Sequence, residues 1–323
     1  MHKPTQVLFE TQFEEDVHTG LTDFPKHLSS KYFYDEKGDR LFQDIMSMPE
    51  YYLTQKEYDI LLNHTAEIAQ LFASGNPKFK LIELGAGDGK KTKILLKHLS
   101  ENDFEFKYQP IDISQSVLNG LEDSLQKELP NVRVEPQQGT YFEALKKINS
   151  ENGTKKIILF LGSNIGNLLH EQAIDFLKNV QELMQDDDLL FIGFDMKKNP
   201  QTILDAYNDP TGITAAFNKN VLARINNELG GNFNLDKFLH WEVYDPETGT
   251  AKSYLVAKEA QSVRIDKLDV LINFGQWETI HTEISQKYDD KVVAWLAEKA
   301  GLKIETEFCD AEKHYKNFVL RKR

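Results

Sequence analysis

Residues 83–89 read Glu83-Leu84-Gly85-Ala86-Gly87-Asp88-Gly89, between a strand-like run, Phe79-Lys80-Leu81-Ile82-Glu83-Leu84, and an amphipathic helix pattern over 90–99. Three alternate glycines let the backbone turn tightly and approach a ligand closely, with N–H groups at a helix start facing it. A nucleotide-like cofactor is the natural occupant. A dinucleotide fingerprint counted from Gly85 and Gly87 needs glycine or alanine at 90, where Lys90 stands. A phosphate loop ending in Gly89-Lys90-Lys91-Thr92 needs a glycine where Leu84 stands. What remains is an E-x-G-x-G-x-G loop after a first strand.

Working outward, the texture predicts strands at 79–84, 105–111, 131–136, 156–161 and 188–194, alternating with helices at 90–99, 115–128, 141–148 and 169–184. Strands apolar nearly throughout, as at 156–161 and 188–194, belong in a parallel sheet covered on both faces, so the fold class is doubly wound α/β. The rhythm breaks after Asp195, where Pro200, Pro210, Gly212 and Gly230-Gly231 punctuate helix-like pieces. Strand-like segments follow at 252–257, 261–265, 271–274 and 279–284. A helix at 286–300 and strands at 302–308 and 315–320 close the sheet. Upstream, an irregular lead-in precedes a helical pattern through Leu41, Phe42, Ile45 and Met46 that stops near Pro49, then the adjacent Tyr51 and Tyr52 and a helix over 57–73. The expected organisation is a nucleotide-binding domain of residues 62–196 and 288–323, with residues 1–61 and 197–287 forming a second α+β lobe.

Composition sets the outer bounds. With 323 residues, 40% of them hydrophobic, the chain can bury a sizeable core. Its 38 Lys+Arg against 51 Asp+Glu give a net charge of −13, which repels nucleic acid and anionic membranes. The longest apolar run, Ile157 to Leu161, has strand length and cannot span a bilayer. The opening Met1-His2-Lys3-Pro4 lacks the pattern of a secretory leader, so a cytoplasmic monomer is expected. Cys309 is the single cysteine, which excludes an intramolecular disulfide and a cysteine-rich metal site; it reads as a small packed residue. There is no G-x-S-x-G, H-E-x-x-H or C-x-x-C, the nine histidines are scattered, and Asp186-Asp187-Asp188 reads as a solvated turn, so no metal is expected. Asp112, at the end of the second strand, can accept hydrogen bonds from ribose hydroxyls or serve as a turn residue before the helix at 115.

The glycine loop resembles motif I of the class I S-adenosylmethionine-dependent methyltransferases. Further segments resemble the histidine-specific methyltransferase family, which makes the trimethylated betaine of histidine, hercynine, on the route to ergothioneine. They are Tyr32-Phe33-Tyr34-Asp35, Pro49-Glu50-Tyr51-Tyr52-Leu53-Thr54, Leu161-Gly162-Ser163-Asn164-Ile165-Gly166-Asn167, Ala206-Tyr207-Asn208-Asp209-Pro210, Thr214-Ala215-Ala216-Phe217-Asn218-Lys219-Asn220 and Thr282-Glu283-Ile284-Ser285-Gln286-Lys287-Tyr288. The resemblance implies a class I, Rossmann-like core with a substrate-binding lobe. It further implies S-adenosylmethionine at Gly85, Gly87, Asp112 and Gly162, with S-adenosylhomocysteine as product, and L-histidine as substrate. Asn167 and Tyr207 would hold the amino acid's carboxylate, Tyr51 would line the pocket, and Glu283 with Ser285 would grip the imidazole. Tyr34 would sit near the cofactor and is the candidate catalytic residue. Neutral imidazole offers one N–H and one lone pair, which a carboxylate and a hydroxyl can serve together.

One departure stands out: Gly139 is followed by Thr140-Tyr141-Phe142, where many methyltransferases place an acidic residue beside the adenine. Read without the resemblance, Asn167 serves equally as a cap for the helix at 169, Tyr207 as core, and Glu283 and Ser285 as the open side of an edge strand. The alternatives are a related enzyme acting on another amino acid such as tryptophan, or a non-catalytic module that binds S-adenosylmethionine.

Overall fold

The structure is a computed structural model and describes residues 9–149 and 154–323; the Met1–Pro4 segment lies outside them. The chain divides into two compact units, residues 53–197 with 286–323, and residues up to 52 with 198–285.

The first unit holds, in chain order, α3 (Tyr52–Ala73), β1 (Lys78–Leu84), α4 (Thr92–Glu101), β2 (Glu105–Asp112), α5 (Gln115–Glu128), β3 (Gln137–Gln138), α6 (Tyr141–Asn149), β4 (Lys155–Phe160), α7 (His170–Leu183), β5 (Leu189–Asp195), α10 (Asp290–Lys299), β11 (Leu302–Cys309) and β12 (Tyr315–Lys322). Among the described residues, one seven-stranded sheet runs β3-β2-β1-β4-β5-β12-β11. The first five of these strands are parallel, and β12 lies antiparallel between β5 and β11. This is the doubly wound α/β arrangement that the alternation of strands and helices predicts.

Its core follows from the two-residue alternation of the strands. Ile82, Leu84, Ile158, Phe160, Leu190 and Ile192 turn to one face and pack with Leu177 and Val180 of α7 and Val293 and Leu296 of α10. Leu81, Ile157, Leu159, Leu189 and Phe191 turn to the other and pack with Ile60, Leu61 and Ile68 of α3 and with Leu95 and Leu121. Each such side chain contributes about 1.5–3 kcal/mol by leaving water, which is why strands this apolar occupy the middle of the sheet.

Several expectations are corrected. The domain boundary drawn at 61/62 falls inside α3, because Ile60 and Leu61 belong to the core under β1. The strand expected at 131–136 shrinks to an isolated bridge of Tyr108 with Val134, followed by the two-residue β3. The helix expected from 286 begins at Asp290, capped by Asp289. Before it, Lys287 forms a fully buried ion pair with Asp195 at 2.8 Å and Tyr288 bridges Met196, which holds this segment extended. Asp188 is not solvated: it is buried, pairs with the Lys156 ammonium at 2.8 Å, and accepts the Lys156 and Gln185 backbone N–H groups at 2.6 and 2.7 Å.

The second unit contains α1 (Gln12–Thr22), α2 (Glu36–Met46), α8 (Pro200–Tyr207), α9 (Ile213–Leu229), a sheet ordered β10-β7-β6 and a hairpin of β8 (Gln261–Ile265) with β9 (Val270–Phe274). The sheet strands are β6 (Phe238–Asp245), β7 (Thr250–Ala257) and β10 (Thr279–Gln286). Phe217, Val221 and Ile225 of α9 pack on Phe238, Leu255 and Ile280, with Val17, Leu21 and Phe33 completing the core. Two elements were not foreseen. Strand β6 reverses the usual pattern, burying His240 and Glu242 while Leu239, Trp241 and Val243 point to solvent. Helix α1 buries a stripe of Phe13, Glu14, Val17, Gly20 and Leu21. Among the described residues no helix is long and apolar enough to cross a membrane.

Candidate functional site

The glycine loop sits at the carboxyl ends of β1 and β2, where ligands of doubly wound sheets bind. Gly85, Gly87 and Gly89 have φ of +73°, +54° and +65°, conformations that side-chain-bearing residues rarely adopt. The Gly85 and Ala86 N–H groups both donate to the Ile111 carbonyl, at 2.9 and 3.3 Å, which docks the loop on the end of β2. Asp112 follows immediately, half-buried, its Oδ1 accepting the Ser114 N–H at 3.0 Å and its carbonyl accepting the Gly139 N–H at 3.1 Å. Tyr141 closes this corner: a Cβ added to Gly85 would stand 2.7 Å from its hydroxyl. Burial, reinforced by the Asp112 charge, pushes the Tyr141 phenol up to about 12. Tyr141 therefore forms a wall beside the loop.

Glu83, the glutamate of the motif, works inside the protein. It accepts from the Thr92 hydroxyl at 2.6 Å and from the Tyr108 hydroxyl, tying β1 to α4 and β2. Burial pushes its carboxyl up to about 7, against the pull of these two donors.

The turn after β4 forms a second part of the site. Gly162 and Ser163 are consecutive left-handed residues, φ +76° and +55°. The Gly162 N–H donates to Glu57 Oε2 at 2.7 Å, and Lys91 forms an ion pair with the same carboxylate. Ser163 Oγ accepts the Asp195 N–H at 3.0 Å. The Asn164 amide would lie 3.7 Å from a Cβ at either Gly85 or Gly162, so it stands beside both turns. Asn167 ends the short 3-10 turn Asn164–Asn167 and is exposed; α7 takes Leu169 as its N-cap, so Asn167 does not cap it.

These residues fit an adenosine that carries an amino-acid tail. The positive-φ turns leave room for close approach, Asp112 is an anionic acceptor suited to ribose hydroxyls, and the Lys91 ammonium suits a carboxylate. Lys91, Asn164 and Glu57 were missed from the sequence. Lys91 was visible only as part of Gly-Lys-Lys-Thr, Asn164 within the Gly162–Asn167 segment, and Glu57 gave no signal because its partners are distant in sequence.

The other unit gathers Tyr34, Tyr51, Tyr207, Glu283 and Ser285. Tyr207 is 7% exposed on α8, packed among Ile203, Ala206 and Ala251, and its hydroxyl stands 2.8 Å from Ser285 Oγ at the end of β10. The Tyr51 ring meets the Tyr207 ring edge-on at 6.2 Å, and Phe42 lies 6.3 Å from Tyr51 and 5.5 Å from Tyr34. Tyr34 also meets Phe217 at 5.3 Å, and its carbonyl accepts from Arg224 at 3.1 Å. On β10, Thr282 points into the unit and donates to Asn218 Oδ1 at 2.8 Å, so Glu283 and Ser285 take the opposite, shared face, with Glu283 half-buried. Asp209, just after Tyr207, fixes the start of α9 by accepting the Ile213 and Thr214 N–H groups at 3.1 and 2.8 Å. Although burial opposes it, these donors and the Thr211 hydroxyl hold its carboxyl down at about 2.

A family model for histidine-specific, S-adenosylmethionine-dependent methyltransferases matches residues 13–322. A protein named histidine N-alpha-methyltransferase from Mycolicibacterium smegmatis is 38% identical over 289 residues, 89% of this chain and 88% of that one. Its namesake from Mycobacterium tuberculosis is 36% identical over 287 residues, 89% of this chain and 88% of its own. Ergothioneine biosynthesis protein 1 of Schizosaccharomyces pombe is 31% identical over 91% of this chain, which spans 39% of that longer protein. With the match running through both units, the chain belongs to the histidine-specific, S-adenosylmethionine-dependent methyltransferase family.

Proposed function

We propose that this chain transfers methyl groups from S-adenosylmethionine to the α-amino nitrogen of L-histidine, three times over, to give the trimethylated betaine that leads to ergothioneine. The observation that carries this reading is the 38% identity to a histidine N-alpha-methyltransferase across 89% of the chain. The bound cofactor supplies a methyl group made electrophilic by the sulfonium. Gly85, Gly87 and Gly162 give it backbone room, Asp112 accepts from its ribose, and the Lys91 ammonium meets its carboxylate.

Histidine is held by its ring. Glu283 accepts the imidazole N–H and the Ser285 hydroxyl serves the other ring nitrogen. The Tyr207 hydroxyl, 2.8 Å from Ser285 Oγ, donates to it and so leaves the Ser285 hydrogen for the ring nitrogen. The α-amine, attacking as the free base, is then the nucleophile left to react, and positioning supplies most of the acceleration. Each of the first two transfers leaves an ammonium that gives a proton to solvent before the next, the third leaves a permanent cation, and the rings of Tyr34 and Tyr51 offer negative faces to it.

Steady-state kinetics on histidine, tryptophan and phenylalanine test the substrate. The ring N–H is the donor Glu283 takes from the substrate, so ligands lacking ring N–H groups are disfavoured. Glu283→Ala is expected to lower kcat/KM for histidine at least tenfold, about 1.4 kcal/mol of transition-state binding. An unchanged histidine-to-tryptophan preference would remove Glu283 from the site.

A further inference from the structure

Glu57 lies on α3, three residues beyond the Pro49–Thr54 segment, and its side chain is fully buried. Its two oxygens nonetheless serve three separate parts of the cofactor-binding unit. Oε2 accepts the Gly162 N–H at 2.7 Å and pairs with the Lys91 ammonium, while Oε1 accepts the Asn317 side-chain N–H at 2.9 Å from β12. Gly193 on β5 makes the room, since a Cβ there would come 2.3 Å from both Glu57 Oε1 and the Tyr315 hydroxyl. A buried ion pair adds little stability over a well-packed apolar pair, so stability alone does not account for a carboxylate at this depth.

What Glu57 touches does account for it. Lys91 follows directly on the glycine loop, and Gly162 begins the left-handed turn after β4; a Cβ at Gly162 would stand 3.5 Å from the Lys91 ammonium. A single carboxylate thus fixes the cation and the turn together. An ammonium on a four-carbon stem loses much rotamer freedom when it binds an anion, and a lysine already held pays less of that cost on ligand binding. We propose that Glu57 is a positioning residue for the amino-acid end of the cofactor, acting through Lys91 and the Gly162 turn. This rests on reading the unit as an S-adenosylmethionine site, and it does not depend on which acceptor is methylated.

Glu57→Gln is the informative change. The amide oxygen can still accept from Gly162, and the new NH2 can donate to Asn317 Oδ1, which is buried without a partner, once that amide turns over. The charge that holds Lys91 is lost. Calorimetry with S-adenosylhomocysteine and with 5′-methylthioadenosine, which lacks the amino-acid tail, separates positioning from general damage. The variant is expected to bind S-adenosylhomocysteine at least tenfold more weakly, to bind methylthioadenosine as the parent does, and to show a raised KM for the methyl donor with the KM for histidine unchanged. Equal weakening of both ligands, or of neither, overturns the proposal. Glu57→Asp, which keeps the charge but shortens its reach to Lys91 and Gly162, is expected to give the same selective loss in milder form if the Gln variant folds poorly. A parent protein that binds both ligands but methylates no histidine would refute the substrate assignment, while these affinities would still decide the role of Glu57.

Discussion

Replacing Gly85 and Gly87 one at a time with alanine tests the geometry of the cofactor loop through a difference between neighbours. At Gly85, φ of +73° costs a side-chain-bearing residue about 1–2 kcal/mol. The added methyl would also stand 2.7 Å from the Tyr141 hydroxyl, closer than carbon atoms approach a neighbour. Tyr141 cannot step aside freely, because its ring is wedged edge-on against Phe160 and Phe176 at 5.8 and 6.4 Å. Forcing it back is an overpacking change worth about 1–3 kcal/mol, which brings the total to roughly 2–5 kcal/mol. Gly87 has φ of +54° and nothing within 4 Å of an added Cβ, so only the backbone cost of about 1–2 kcal/mol applies. Urea unfolding monitored by amide exchange in β1 and β2 measures both variants in the same unit. Gly85→Ala is expected to be the more destabilising. Equal losses, or a larger one at Gly87, would refute the placement of Tyr141 against the loop.

Three further outcomes follow from charges. Asp112→Asn keeps an oxygen for the Ser114 N–H but removes the anion, and is expected to weaken S-adenosylmethionine binding by about 1.5–3 kcal/mol in calorimetry; unchanged affinity would take Asp112 out of the site. Burial raises the Glu83 carboxyl from its ordinary 4.5 to about 7, so the folded state binds a proton that the unfolded state releases, and this unit should lose up to about 3 kcal/mol as pH rises from 4.5 through 7. Glu83→Gln should remove that slope in pH-dependent thermal denaturation, and a parallel pair of curves would contradict it. His240 has the opposite sign: burial lowers it from 6.5 to about 4, so the unfolded state protonates first and the other unit weakens as pH falls from 6.5 towards 4. His240→Gln should flatten this acid limb, and an unaltered limb would assign it to other groups.

The parallel sheet was legible because its strands carry their fate locally: apolar runs such as Ile157 to Leu161 admit few other readings. The glycine loop was equally plain, since φ near +70° is a demand that only particular residues meet. Strand β6 was hidden by an inverted pattern, in which His240 and Glu242 go inward and Trp241 outward, so polarity pointed the wrong way. Asp188 and Lys287 were misread or passed over because a buried charge is permitted only by its partner, and their partners, Lys156 and Asp195, are named by the fold rather than by neighbouring residues. Glu57 is the extreme case, with partners at 91, 162 and 317. Within the candidate site, the family segments identified which residues to watch, but the contact of Tyr207 with Ser285 across 78 positions and the wall made by Tyr141 required the folded chain.

The central assignment is decided by product identity. The protein is incubated with S-adenosylmethionine and L-histidine, and the product is resolved by mass spectrometry with fragment assignment. The expected product carries three methyl groups, all on the α-nitrogen, with an unmodified imidazole. Methylation on the ring, or turnover of another amino acid with histidine left untouched, would contradict the assignment.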